Sequence, residues 1–234
     1  MATHKAPQRI TRRHELREDK VITFYSRVWT FFDENRTLVF GVVGVIVLLF
    51  IIGAGFSLYQ DKKADQAQTA MAAAVRAYER ADYQTALDGD ESNAGLLDVA
   101  RQYGGTPAGN LAAYYAGDAL YRQGKFEEAL AYFDDFDKRD NVLGAAAYAA
   151  EAAIYENTGD FARAGERYER AASTFATDFT TPQYLLSAGR AYEKAANFSK
   201  ARAMYQRISD DFPESTEARE IEYYLARVDV EAKG

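Results

Sequence analysis

The 234-residue chain has no cysteine, two histidines and a formal net charge of −7, which rules out disulfides, thiolate metal sites and cysteine nucleophiles. Residues 1–37 carry eight Lys/Arg against five Asp/Glu, a net of +3, and residues 38–234 carry 20 against 30, a net of −10. The larger, acidic part is therefore a poor partner for nucleic acid, whose binding draws on cations set against phosphates.

His4 and His14 both fall in the basic N-terminal tail. The rest of the chain thus lacks the imidazole that Ser–His–Asp catalysis and HExxH zinc sites require. Later in the tail, Val21, Phe24, Tyr25, Val28, Trp29 and Phe32 recur at helical spacing. They predict an amphipathic helix on the cytoplasmic leaflet, with Tyr25 and Trp29 at headgroup depth. A short helix packed on a partner protein is the alternative.

Residues 38–59 read LVFGVVGVIVLLFIIGAGFSLY, an uncharged run ending in Tyr59 at the opposite interface. As a helix it spans roughly 33 Å, enough for a hydrocarbon core of about 30 Å. The run is too long, and begins too late, for a cleaved signal peptide. Eight Lys/Arg precede it, and only Lys62, Lys63, Arg76 and Arg80 occupy the comparable stretch beyond. The positive-inside rule then puts the N-terminus in the cytoplasm and residues 60–234 on the far side, the periplasm in a bacterium with two membranes. The spacing of Gly41, Gly44, Gly53 and Gly55 offers no GxxxG dimer motif. Gly53 and Gly55 stand at dinucleotide-loop spacing, but inside an apolar span with no strand before it.

Residues 61–81 continue the helix into a first hairpin, which the acidic loop 88–93 interrupts. Asp88, Asp90 and Glu91 there lack the order of a calcium loop and read as an acidic turn. Helices are expected at 94–103, 108–122, 125–139, 142–157, 160–175, 182–195 and 198–211, with a charged final helix over 214–230. The breakers are Gly104, Gly105, Pro107, Gly124, Asn141, Gly159 and Pro182. In the segment 134–137 the carboxylates read as a solvated helix face, with Phe133 and Phe136 turned inward.

Three of these helices open on one pattern: GKFEEALAYF at 124–133, GDFARAGERY at 159–168 and ANFSKARAMY at 196–205, with a fainter DYQTAL at 82–87. Each sets an aromatic, an alanine three residues on and a second aromatic four further. Phe126, Phe161 and Phe198 lie 35 and 37 residues apart. Upstream, Gly117, Ala152 and Gly189 supply a small residue on the preceding helix, and Leu120, Tyr155 and Tyr192 a large one; Pro213 closes the last unit. The period and pattern resemble the tetratricopeptide repeat (TPR), in which a small residue on one helix admits the aromatic of the next. The expected fold is all-α: an N-terminal transmembrane helix followed by a TPR-type α-solenoid with a C-terminal capping helix. Its parts are a cytoplasmic tail over 1–37, the span over 38–59 and the repeat domain over 60–234.

In such arrays the first helix of each repeat lines an inner groove. That register assigns Tyr114, Asp118, Tyr121 and Arg122 to the groove from one repeat, Glu156 and Asn157 from the next, and Arg190, Glu193 and Lys194 from the third. Tyr and Arg are residue types enriched in binding hot spots. The carboxylate-clamp set of chaperone-binding TPRs needs Lys and Asn where this chain has Tyr114 and Asp118, so clamp-type binding is not expected. No catalytic residue, metal site or cofactor is expected either, and no small-molecule substrate.

The order of parts resembles a group of bacterial single-pass TPR proteins identified as ancillary subunits of the Sec translocon. FFDEN at 31–35, the Ala/Gln-rich KADQAQTAMAAA at 63–74 and YGGTPAGNLAAYYAG at 103–117 carry that likeness. It implies a single-pass protein of the bacterial inner membrane that binds the translocon and periplasmic chaperones or clients. A structural scaffold subunit of another cell-envelope assembly is the alternative.

Overall fold

The computed structural model describes residues 29–233. Residues 1–28 lie outside it, and with them Tyr25, His4, His14 and most of the expected juxtamembrane helix. Among the described residues the chain is all-helical, with one isolated bridge, Gly89 to Ala94, in place of any strand. It divides into two compact units, residues 1–59 and 60–234.

In the first unit a helical turn over 29–34 precedes α1 (Arg36–Glu79). The rings of Trp29, Phe32 and Phe40 lie against one another, at 6.4 Å and 5.8 Å between centroids. The apolar part of α1 is long enough to cross a membrane, and none of its most apolar stretch is buried in the protein. Phe50 is 77% exposed, and Trp29 and Tyr59 are more than half exposed. Among the described residues, the most apolar stretch of α1 is exposed on every side.

The second unit begins with the rest of α1, whose Ala67, Met71, Ala74 and Ala77 form one buried face. The chain then runs through α2 (Tyr83–Asp88), α3 (Leu96–Tyr103), α4 (Pro107–Arg122), α5 (Phe126–Asp135), α6 (Val142–Asn157), α7 (Phe161–Thr174), α8 (Thr181–Lys194), α9 (Phe198–Asp211) and α10 (Ile221–Glu231). From α3 onward each helix packs mainly on its neighbours in sequence, the solenoid arrangement. Two apolar clusters result. One runs from Met71 to Ile154; the other runs from Ala172 to Val228.

The turns inside the hairpins share a construction. A residue at positive φ precedes the helix: Ala81, Gly124, Gly159 and Ala196. At three of the four turns the next residue then caps it. Asp82, Asp160 and Asn197 accept from the backbone N–H three residues on, at 3.3, 3.1 and 3.2 Å. Two of the left-handed positions hold alanine, which is strained there where glycine is not. Ala196→Gly is accordingly expected to raise stability by about 0.5–1 kcal/mol, visible as a higher thermal midpoint. A lower midpoint would contradict the strain argument.

Two helix boundaries differ from the sequence expectation. The helix expected over 125–139 ends at Asp135, because Phe136 turns extended (φ −70°, ψ 126°) and buries its ring 5.4 Å from that of Tyr114. The same turn brings Lys138 back against Glu151 of α6. The last helix opens as a 3-10 turn over Glu217–Glu220 and becomes α-helical only from Ile221. Pro213 closes α9, and the Ser215 hydroxyl accepts from the Ala218 N–H (3.1 Å), holding a tight turn in between. Phe133 and Phe136 are both buried, as the pattern at 134–137 implied.

Candidate functional site

The first helices of the three hairpins, α4, α6 and α8, carry the nine groove positions, which the structure gathers into three groups. On α4, Tyr114 is largely buried. Its ring lies 6.0 Å from Phe133 and 5.4 Å from Phe136, and burial pushes its phenol pKa up. It serves the core more than the surface. Asp118 accepts a hydrogen bond from the Tyr78 hydroxyl on α1 and another from Arg122 Nε at 2.6 Å. Arg122 also lies 5.7 Å over the Tyr83 ring, and its pKa is raised by the bond to Asp118. Asp118 and Arg122 are thus a matched pair that closes α4 onto α1 and α2.

Between the hairpins, Asn157 Nδ2 reaches the Tyr121 hydroxyl at 3.4 Å while also donating to the Ala153 carbonyl at 2.8 Å. Tyr121 packs at 5.8 Å on Phe126. Asn157 is exposed and Tyr121 partly so.

The third group is the richest. Glu156, Arg190, Glu193 and Lys194 line one cleft of about 540 Å³ together with Ser187, Tyr224 and Arg227. Glu156 accepts from Tyr168 Oη (3.0 Å) and from Lys194 Nζ (3.3 Å). Glu193 accepts from Tyr205 Oη (3.1 Å) and from both Nε (3.1 Å) and Nη2 of Arg227. Arg190 donates to the Tyr224 hydroxyl and lies 5.1 Å over that ring. Lys194 lies 5.0 Å over the Phe161 ring.

Sequence reasoning missed Tyr78, Tyr224 and Arg227, which come from helices outside the three hairpins. A signal for Arg227 existed: it follows Arg190 by 37 residues, as Phe198 follows Phe161 and Tyr205 follows Tyr168.

Phenol-to-carboxylate bonds recur through the array, at Tyr78–Asp118, Tyr168–Glu156, Tyr192–Glu169 and Tyr205–Glu193. In all four, burial raises the phenol pKa first and the adjacent carboxylate raises it further. The folded state therefore holds these protons more tightly than the unfolded chain. Their contribution is complete below the unfolded tyrosine pKa of about 10 and is lost as pH rises above it. Melting temperature is expected to hold to roughly pH 9.5 and then fall. In a Tyr168→Phe/Tyr205→Phe variant it should start slightly lower and fall less. Parallel curves for the two proteins between pH 8 and 11 would show that these phenols do not carry the alkaline loss.

In the loop 88–93 the Asp90 carboxylate is turned on its own chain, accepting from the backbone N–H groups of Ser92 (2.8 Å) and Asn93 (2.9 Å). Those bonds, Ser92 first, hold its pKa below the usual carboxylate range. Among the described residues no cluster of three or more His, Asp or Glu is arranged to hold a metal ion.

Known proteins match parts of the chain. The tetratricopeptide repeat family model matches residues 111–140 and 183–215. No curated protein matches the chain. Among solved structures, the N-terminal domain of stress-induced protein-1 (STI-1) from C. elegans is similar at 23% identity and a TM-score of 0.43, over 49% of this chain and 93% of that one. The two segments matched by the family model take in most of α4 with α5, and α8 with α9, the hairpins in which Gly117 meets Phe133 and Gly189 meets Tyr205. Over those hairpins the chain carries tetratricopeptide repeats.

Proposed function

We propose that the protein is a membrane-anchored, protein-binding adaptor. Residues 38–59 cross the membrane, and the repeat array engages a protein partner through the face built from α4, α6 and α8. The carrying observation is one helix that is apolar and exposed over its first half and joined to an acidic repeat array that presents polar and aromatic side chains along a cleft. Tetratricopeptide repeats are interaction modules, and nothing in the groove resembles a catalytic constellation.

The finer reading follows from charge and likeness. The basic tail stays in the cytoplasm, the span lies in a bacterial inner membrane, and the repeat domain is periplasmic. Trp29 and Tyr25 sit at one interface and Tyr59 at the other. The segments at 31–35, 63–74 and 103–117 that resemble ancillary Sec translocon subunits favour the translocon, with its periplasmic chaperones or clients, as partner. No cofactor, nucleic acid or small-molecule substrate enters this reading.

In-cell photocrosslinking from Tyr121 and Asn157, with Trp29 as the membrane-side control, tests it. Adducts with translocon subunits or folding factors are the expected result. Adducts with a different envelope complex would keep the adaptor and replace the translocon, making the protein a scaffold subunit of that assembly. Crosslinks from Trp29 alone would overturn the groove as the contact face.

A further inference from the structure

The two edges of the repeat array differ in what they expose. The first helices of the hairpins run side by side in one direction, because their C-terminal ends meet in series. The Tyr78 hydroxyl on α1 donates to Asp118 on α4. Asn157 on α6 reaches Tyr121 on α4 at 3.4 Å, and Lys194 on α8 reaches Glu156 on α6 at 3.3 Å. The turns inside the hairpins, at Ala81, Gly124, Gly159 and Ala196, therefore share one edge. The N-terminal ends of the same helices, with the loops that enter them, share the other. There Asn110 of α4 accepts from the Asp137 N–H at 2.7 Å.

Of the loops at these two edges, only those at the second expose large apolar side chains. Val142 and Leu143 open α6, and Phe179, 77% exposed, stands in the loop before α8. Among the described residues of the second unit, the remaining exposed ones are Tyr223 and Val230 on α10. Hydrogen bonds hold the Phe179 loop in place. The Thr177 N–H donates to Thr181 Oγ1 (2.8 Å), and the Thr180 N–H to Thr177 Oγ1 (2.9 Å). Burying the ring therefore requires little further ordering.

We propose that this second edge rests on the lipid surface of the membrane that α1 crosses, with Phe179, Val142 and Leu143 seated among the headgroups. The proposal rests on the reading of residues 38–59 as a membrane span and adds a second point of contact. α1 is one helix from Arg36 to Glu79, and it enters the array at this edge. Ala64 precedes Pro107 by 43 residues, as Ala81 precedes Gly124, so Ala64 and Pro107 lie at one level. The second unit begins at Gln60. From there to that level is about 6 Å along an upright helix, roughly the depth of one headgroup layer. So short a tether makes the contact intramolecular, and a few side chains are enough to hold it. The charges select the lipid. Arg139 is paired with Asp137 (2.8 Å), and Asp140 and Asp178 are exposed on the same loops. With no positive surplus there, the contact is apolar insertion into zwitterionic lipid, not attraction to an anionic surface.

The absence of cysteine makes single-cysteine labelling direct. Full-length protein in phosphatidylcholine vesicles carries a nitrobenzoxadiazole label at one of four exposed positions. These are Gly105→Cys or Ala176→Cys on this edge, Ser199→Cys on the other edge, and Gly44→Cys in the span. Doxyl-labelled phosphatidylcholine is the quencher. Quenching is expected at 105, 176 and 44 and not at 199. Phe179→Asp, with an unchanged melting curve, should lower the bound-to-free ratio read at 176 by about tenfold or more, the scale of one aromatic side chain withdrawn from apolar surroundings. Exchanging half of the lipid for phosphatidylglycerol should leave the quenching no stronger. Quenching at 44 without quenching at 105 and 176 would overturn the edge contact and leave the span standing. In-cell crosslinks from position 179 to a protein would then make this edge a protein-docking surface. Quenching at 176 that survives Phe179→Asp, or that requires phosphatidylglycerol, would also overturn the contact. No quenching at 44 would remove the span, and the edge contact with it.

Discussion

Gly189→Ala is expected to lower stability by about 2–3 kcal/mol and the thermal midpoint by roughly 5–10 °C, although alanine is the better helix former by about 1 kcal/mol. A Cβ at position 189 would overlap Tyr205 Cε1 and stand 2.7 Å from Cζ and 2.8 Å from Cδ1. The ring has no free direction in which to move. Tyr205 is fully buried, its centroid lies 5.2 Å from that of Tyr224, and its hydroxyl is bonded to Glu193. Overpacking must therefore be relieved by parting α8 from α9. The same substitution should grade with distance along the array. At Gly165 the Cβ would lie 2.6 Å from Tyr192 Cδ1, and at Gly117 it would lie 3.0 Å from Phe133 Cε1. Gly165→Ala should cost somewhat less than Gly189→Ala, and Gly117→Ala should be close to neutral as helix propensity offsets a small shift. A double-mutant cycle isolates the cause. In a Tyr205→Leu background Gly189→Ala should become nearly harmless, whereas in Tyr205→Phe, which keeps the ring, it should cost as much as in the wild type. Additive effects with Tyr205→Leu would sink the steric account.

That small-to-aromatic contact was legible in the sequence because it repeats. Phe126, Phe161 and Phe198 each begin a second helix, and Gly117 and Gly189 fall opposite Phe133 and Tyr205 as the TPR pattern implies. Gly124 and Gly159 marked turns that do need a left-handed residue. Other features were hidden because their causes lie far along the chain. The break at Phe136 depends on where Tyr114 and Glu151 sit, and no local breaker announces it. Helical register places Tyr114 and Asp118 on one face but cannot say that Tyr114 will be swallowed by Phe133 and Phe136. Nor can it say that Tyr78, 40 residues upstream, will donate to Asp118. Gly165, on a second helix, receives Tyr192 of the following repeat, a contact between units that a pattern read within one unit does not reveal. Arg190 was placed in the groove by spacing alone. Among the described residues Arg190 has no carboxylate partner, and Lys194 holds Glu156 instead.

Lys138→Met is expected to destabilise the protein by about 3 kcal/mol, and adding Glu151→Leu to recover most of that loss. Glu151 lies on α6 with its side chain 1% exposed. Lys138 Nζ stands 2.9 Å from Oε1 and Arg167 Nε 3.1 Å from Oε2, but neither approach has the angles of a hydrogen bond. The carboxylate is thus held chiefly by charge. Lys138, itself 10% exposed, also donates to the Phe133 carbonyl and lies 5.5 Å over the Tyr148 ring, so it ties the end of α5 to α6. Arg167 is 37% exposed and reaches in from α7. Removing Lys138 alone leaves a buried carboxylate with one half-solvated partner, which is the expensive arrangement. Removing both charges leaves an apolar pair of similar volume and frees Arg167 to turn to water, which is often neutral or better than a buried ion pair. Urea unfolding of wild type, Lys138→Met and the double variant decides the matter. A double variant no more stable than Lys138→Met would mean that the ion pair does more than neutralise itself. A Lys138→Met variant within about 0.5 kcal/mol of wild type, the usual range for surface substitutions, would mean that Glu151 is effectively solvated. Recovery in the double variant would show that the Glu151–Lys138 pair adds little net stability to the array beyond compensating its own burial.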